Sequence, residues 1–81
     1  MLDPEPVAAR IRRFIVGDGS GAAFRLAHGL DTPAPVVQVY QTHAPFFQVA
    51  MSGVQAPTRN DVVVHFATPP ASSEYIVVII G

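Results

Sequence analysis

Cysteine and lysine are both missing from this chain of 81 residues. Without cysteine no disulfide can staple the fold, and no Cys/His spacing for a structural zinc exists. Charge is scarce: charged residues make up 14 %, against a usual share of about 25 %, so much of the surface must be neutral or covered. The formal net charge of −1 gives no electrostatic footprint for nucleic acid and no basic stripe for an anionic membrane. No segment approaches the ~18 apolar residues of a membrane-spanning helix. The N-terminus, MLDPEPVAARIRR, has acids and prolines where a signal peptide needs a positive start and an apolar run. The expectation is a soluble protein made in the cytoplasm, with no nucleic-acid or membrane partner and no cofactor.

What is present is apolar. Hydrophobic residues account for 49 %. A chain of this length forms one domain and buries only roughly 60–65 % of its unfolded surface, so such domains often lean on a partner for stability. All five basic residues are arginines, Arg10, Arg12, Arg13, Arg25 and Arg59, and arginine suits planar, bidentate contacts at protein interfaces.

Residues 1–11 read as an N-terminal arm. Pro4 and Pro6 keep its start extended, and Leu2, Val7 and Ile11 are apolar without an obvious core to face. From residue 12 the period changes to two. RRFIVG sets Phe14 and Val16 against Arg13 and Ile15. Asp18-Gly19-Ser20-Gly21 supplies turn chemistry, and AFRLAH then sets Phe24, Leu26 and His28 against Arg25 and Ala27, which together predict a β-hairpin. After a loop at Gly29–Pro35, Val37 and Val39 alternate with Gln38 and Tyr40. FFQVAMSGV predicts a fourth strand with Phe47, Val49 and Met51 toward the core. DVVVHFAT alternates Val62, Val64 and Phe66 with Val63, His65 and Ala67. The last strand, EYIVVIIG, sets Tyr75, Val77 and Ile79 against Ile76, Val78 and Ile80, and neither set is polar. Short strands at such spacing predict an all-β domain over 12–81, a small antiparallel β-sandwich or barrel of about six strands.

Chemistry is hard to find in this pattern. His28, His43 and His65 lie on different elements with no i, i+2 or i, i+4 pairing, so no metal site is expected. The serines and acids fall mainly in turns and at strand ends, where no nucleophile, base and orienter converge, and the expectation is a protein that is not an enzyme. GDGSG resembles a phosphate-cradling loop, but a strand follows where a helix N-terminus should stand, so it is read as a hairpin turn.

Two features rise above this background. The final strand is apolar on both faces, whereas an antiparallel strand with one wet face should alternate; either both faces are covered within the domain, or one is pressed against another subunit. The second feature is the cluster of Tyr40, Phe46, Phe47 and Met51, in which Phe46 and Phe47 point to opposite faces, so that one of them should leave the core.

The strings FIVGDGSGAAFRLAHGLDTPAPVVQVYQ (14–41) and NDVVVHFATPPASSEYIVVIIG (60–81) together resemble a β-module recurrent in structural proteins of tailed bacteriophages. The shared pattern is F-x-V-G-D-G-S, then F-x-L/V-x-H, then V-V-x-V, closing on V-x-F-A-x-P-P/A-A-x-x-x-Y-x-V-V-I-x-G. Related modules often carry a more polar middle hairpin than HAPFFQVAMSGV, which argues against a receptor-facing hairpin here. The resemblance implies a virion component. A small module with an apolar surface suits a capsid decoration (cement) protein on the outer shell, with the major capsid protein as partner and further copies of itself beside it, a trimer being the expected assembly. Leu2, Val7, Arg10, Ile11, Arg12 and Arg13 are then the candidates for capsid contact, and Ile76, Val78, Ile80, Tyr40 and Phe46 for contact between copies. The alternative is a tail-tip or fibre module that binds a host receptor or cell-wall glycan through Tyr40, His43 and Phe46. A head–tail connector or tail-tube subunit ranks below both.

Overall fold

Runs of β-branched and aromatic residues form the strands, and the segments rich in Gly, Pro and Asp form the connections. Residues 10–81 are described by a computed structural model. They hold seven strands: β1 (Ile11–Val16), β2 (Ala23–Ala27), β3 (Val36–Gln41), β4 (Gln48–Val49), β5 (Gly53–Gln55), β6 (Asp61–His65) and β7 (Tyr75–Ile80). All pairings are antiparallel, in a four-stranded sheet of order β1-β7-β3-β4 and a three-stranded sheet of order β2-β6-β5. The architecture is the expected small β-sandwich, with no helix among the described residues.

The alternation read from the sequence names most of the core. Val16, Leu26, Val39, Val62, Val64, Phe66, Val77 and Ile79 are buried between the sheets, and Phe14, Phe24, Val37, Val49, Met51 and Tyr75 pack against them. Phe66 joins the two ends of this aromatic set, meeting Phe24 edge-on at 6.0 Å and stacking on Tyr75 at 5.2 Å. Leu30 is also fully buried. It belongs to a connection with no period to mark it. The 28–32 segment is drawn in by bonds to its neighbour: the amides of His28 and Gly29 both donate to the Asn60 carbonyl, and Thr32 N–H donates to that of Arg59. The buried His28 accepts the Leu30 amide on Nδ1 at 2.9 Å, while its Nε2 has no partner among the described residues.

Three expectations need correction. β1 and β2 are not a hairpin. β1 pairs with β7 and β2 with β6, so Asp18–Gly21 carries the chain from one sheet to the other. Local turn chemistry cannot tell a hairpin from such a corner, because both need the same tight reversal; long-range pairing decides. The segment FFQVAMSGV is also not one strand. β4 pairs with β3 and β5 with β6, so residues 50–52 cross between sheets and the strand count rises above six. Finally, Phe47 is not in the core but 64 % exposed. It precedes a two-residue edge strand, beyond the reach of the opposite sheet, and both Phe46 and Phe47 face water.

The 17–21 connection is fastened to the one before β7. Gly19 N–H donates to the Pro70 carbonyl at 2.9 Å and Ser73 N–H to that of Gly17 at 3.0 Å. Gly17 has φ +125°, and a Cβ there would collide with the carbonyl oxygen of Ala71. Both the dihedral and the approach demand glycine.

Candidate functional site

The outward residues of the four-stranded sheet form a grid fixed by register. One row is Ile11, Ile80 and Val36; the next is Arg13, Val78 and Gln38; the third is Ile15, Ile76, Tyr40 and Gln48. Val78 is its centre. Ile15 is 65 % exposed, Val36 51 % and Ile11 37 %, so apolar surface runs from the outer edge of β1 across β7 to β3. Arg13 is the only charged residue in these rows, and Tyr40 Oη donates to Gln38 Oε1 at 3.3 Å. An apolar face of this kind on a small domain is the candidate interaction surface.

The outer face of the other sheet differs. There Arg25 pairs with Asp61 at 2.9 Å, and His65 Nε2 and Gln55 Oε1 lie 3.1 Å apart, with Val63 in the row between Arg25 and Gln55 and small Ala23 and Ala27 on either side of Arg25 along β2. One broad face of the sandwich is mainly polar and the other mainly apolar.

The sequence-derived candidates therefore fall in several places. Ile76, Val78, Ile80 and Tyr40 share the apolar face. Ile11 and Arg13, assigned from sequence to a different contact, stand on it beside them. Arg12 belongs to the opposite row with Ile79 and Val37, at the sheet margin. Arg10 sits at the end of the sandwich, where its guanidinium donates to the Leu30 carbonyl and its own carbonyl accepts Gly81 N–H. Leu2 and Val7 lie outside the described residues. Ile15 and Val36 were missing from the candidates, although the alternation that set Ile15 with Arg13 carried the signal for the first.

Phe46 is apart from the grid, on the loop between β3 and β4. His43, Ala44, Pro45, Phe46 and Phe47 are all exposed, and Phe46, 56 % exposed, holds φ 58°, a left-handed conformation that costs a non-glycine residue about 1–2 kcal/mol. Thr42 anchors the loop by donating its hydroxyl to the Ser73 carbonyl at 2.8 Å. Beside the loop, an open depression of about 380 Å³ is lined by Gln48, Val49, Ala50 and Met51, none of them ionisable. Among the described residues no three His, Asp or Glu side chains are grouped as metal ligands, and no helix is long and apolar enough to cross a membrane.

In the GDGSG corner, Asp18 Oδ1 accepts the amides of Ser20 at 2.9 Å and Gly21 at 2.8 Å. The donors that would cradle a phosphate are already bound to a carboxylate of the same loop. These bonds, the one from Gly21 foremost, hold the Asp18 carboxyl below its usual pKa. Hydrogen bonds from Arg59 and Arg25 do the same for Asp31 and Asp61. A carboxyl with a depressed folded pKa stabilises the fold above its unfolded value and loses that contribution as pH falls through the folded one. Urea titrations are therefore expected to show these contributions intact at pH 5 and fading below about pH 4. In Asp18→Asn, whose amide oxygen can still accept both N–H groups, stability at pH 7 should hold while part of this acid sensitivity disappears.

No family model, no curated protein and no solved structure matches the chain.

Proposed function

We propose that the protein is a bacteriophage virion component, a capsid decoration protein that binds the outer shell and other copies of itself by contact alone. The observation that carries this reading is the apolar outer face of the four-stranded sheet, opposed to a polar outer face on the other sheet. The resemblance of residues 14–81 to phage virion modules supplies the setting, and the sheet supplies the means. Covering such a face contributes roughly 25 cal/mol per Å² of apolar surface removed from water. Because that gain exists only in the assembled state, it stabilises the shell by linkage, by about 2.7 kcal/mol per site at a hundredfold excess over the dissociation constant. No bond is made or broken.

One observation favours the second reading, a tail-tip or fibre module. His43, Phe46 and Phe47 are gathered on one exposed loop, and aromatic faces on a loop suit a sugar ring or a receptor side chain. A single experiment separates the two. Labelled protein is offered to shells of the phage that encodes it, assembled without it, and in parallel to host cell-wall material. Saturable co-sedimentation with the shells, and a rise in their thermal midpoint, are expected. Retention on the cell wall with none on the shells would overturn the capsid reading in favour of the loop.

A further inference from the structure

The chemistry of the grid points to its occupant. If copies closed a three-fold ring, each apolar face would have to meet a different surface of the next copy. The other broad face offers the Arg25–Asp61 ion pair and the His65–Gln55 pair, and burying these charged and polar groups against an apolar face would cost their hydration with no new partner in return. A face that must be covered, and whose counterpart across the molecule is polar, is best covered by itself. A self-facing contact is isologous and has a two-fold axis.

Aligned packing of two sheets leaves two choices of axis in the plane of the interface, along the strands or across them. An axis running across the strands would set Arg13 against the Arg13 of the second copy and bury two like charges together. An axis running along β7 does something different. It sets β1 of one copy over β3 of the other, so that Arg13 lies opposite Gln38, Val78 opposite Val78, Ile11 opposite Val36 and Ile15 opposite Tyr40. Every apolar position meets an apolar or aromatic one, and each of the two guanidiniums meets a side-chain amide oxygen. Only this axis leaves no charge buried without a partner.

We propose that two copies stack sheet on sheet through this face, about a two-fold axis along β7, with Arg13 of each copy bonded to Gln38 of the other. The proposal rests on reading the face as a contact between copies, and it replaces the three-fold assembly expected from sequence with a two-fold one. Aligned sheets pack about 10 Å apart at about −30°, a gap an arginine side chain spans. The three strands that overlap about this axis, β1, β7 and β3, at ~4.8 Å and six residues at ~3.3 Å make a footprint of roughly 300 Å², well under half the ~800 Å² per partner of a standard interface. The isolated dimer is therefore weak, with a dissociation constant of about 10 μM or higher, and it gains strength where a lattice adds a second contact.

Sedimentation equilibrium on the full chain from about 1 μM to 1 mM tests this, with circular dichroism to confirm that each variant folds. The wild type should show a reversible monomer–dimer equilibrium. Gln38→Glu, which offers each Arg13 a carboxylate, should tighten it about 3- to 30-fold at low salt and lose that gain at high salt. Arg13→Glu should weaken it by a similar factor, and the double variant Arg13→Glu/Gln38→Arg should restore it. In the wild type, methyl resonances of Ile76, Val78 and Ile80 should shift with concentration while those of Val63, on the opposite outer face, stay fixed; this readout needs no variant to fold. A monomer at 1 mM overturns the proposal, as does a trimer. So does a mixture of wild type and Arg13→Glu that pairs more tightly than either alone, because that places Arg13 against Arg13. Shell binding by a chain that stays monomeric would overturn the stacking and leave the capsid reading standing, whereas a dimer that ignores shells would do the reverse.

Discussion

Gly17→Ala is expected to cost at least ~4 kcal/mol, a large part of the ~4–12 kcal/mol available to a chain of this length. The backbone at Gly17 has φ +125°, and the atom a new Cβ would strike is the Ala71 carbonyl oxygen. That carbonyl accepts the Glu74 amide, while the Ala71 amide donates to Glu74 Oε1 at 2.7 Å, so moving it away would break both bonds that tie Ala71 to Glu74. Gly19→Ala is the control. Gly19 also has positive φ, at +82°, but nothing lies within 4 Å of a Cβ there, and the cost should be only about 1–2 kcal/mol. Urea denaturation followed by circular dichroism measures both. Equal midpoints for the two variants would mean that the 17–21 corner does not dock on the segment before β7.

Adjacent residues of β7 should respond in opposite ways to the same substitution. Val77 has no exposed surface and sits between Phe14 and Val39 on the inner face. Val77→Asp puts an unpaired carboxylate among apolar side chains, a change costing about 3–5 kcal/mol or more, and the chain should fail to fold. Val78 points the other way and is only half-buried in the single chain. Val78→Asp should keep the fold, at a cost of about 1–2 kcal/mol in strand propensity and outer-face packing. It should nonetheless abolish self-association, because the carboxylate lies at the centre of the contact between copies. Size-exclusion chromatography with light scattering, beside thermal melts, reads both effects. If Val78→Asp unfolds like Val77→Asp, the outer face is core and not a docking surface.

This contrast resolves what alternation alone left open. Alternation within β7 shows two apolar sets, Tyr75/Val77/Ile79 and Ile76/Val78/Ile80, and does not by itself say which faces in; the set named from sequence as the outward one, Ile76/Val78/Ile80, is the one that faces out. The pairing of β7 between β1 and β3 fixes it. Phe14 and Val16 have a clear inward signal, since Arg13 on the same strand must face out, and cross-strand register carries that assignment to Val77 and then to Val39. The same register carries Arg13 outward and places it two strands from Gln38. No local pattern connects those two residues, which are 25 positions apart.

By itself, the sequence determined the class and the core. Period-two alternation between turn-forming segments gives an all-β domain, and it places Phe14, Val16, Leu26, Val39, Val62, Val64 and Phe66 inside because a strand offers each side chain only two faces. It could not determine which strands are neighbours. Turn chemistry describes a reversal of the chain but not the sheet the chain enters next, so GDGSG read as a hairpin and FFQVAMSGV as one strand. Leu30 lies in a connection with no period, and only its backbone bonds to the 59–60 segment carry it into the core. The apolar face is likewise a product of the tertiary structure. Ile11, Ile15, Val36, Tyr40, Ile76, Val78 and Ile80 come from three segments of the chain, and hydrogen-bonded register is what makes them one surface.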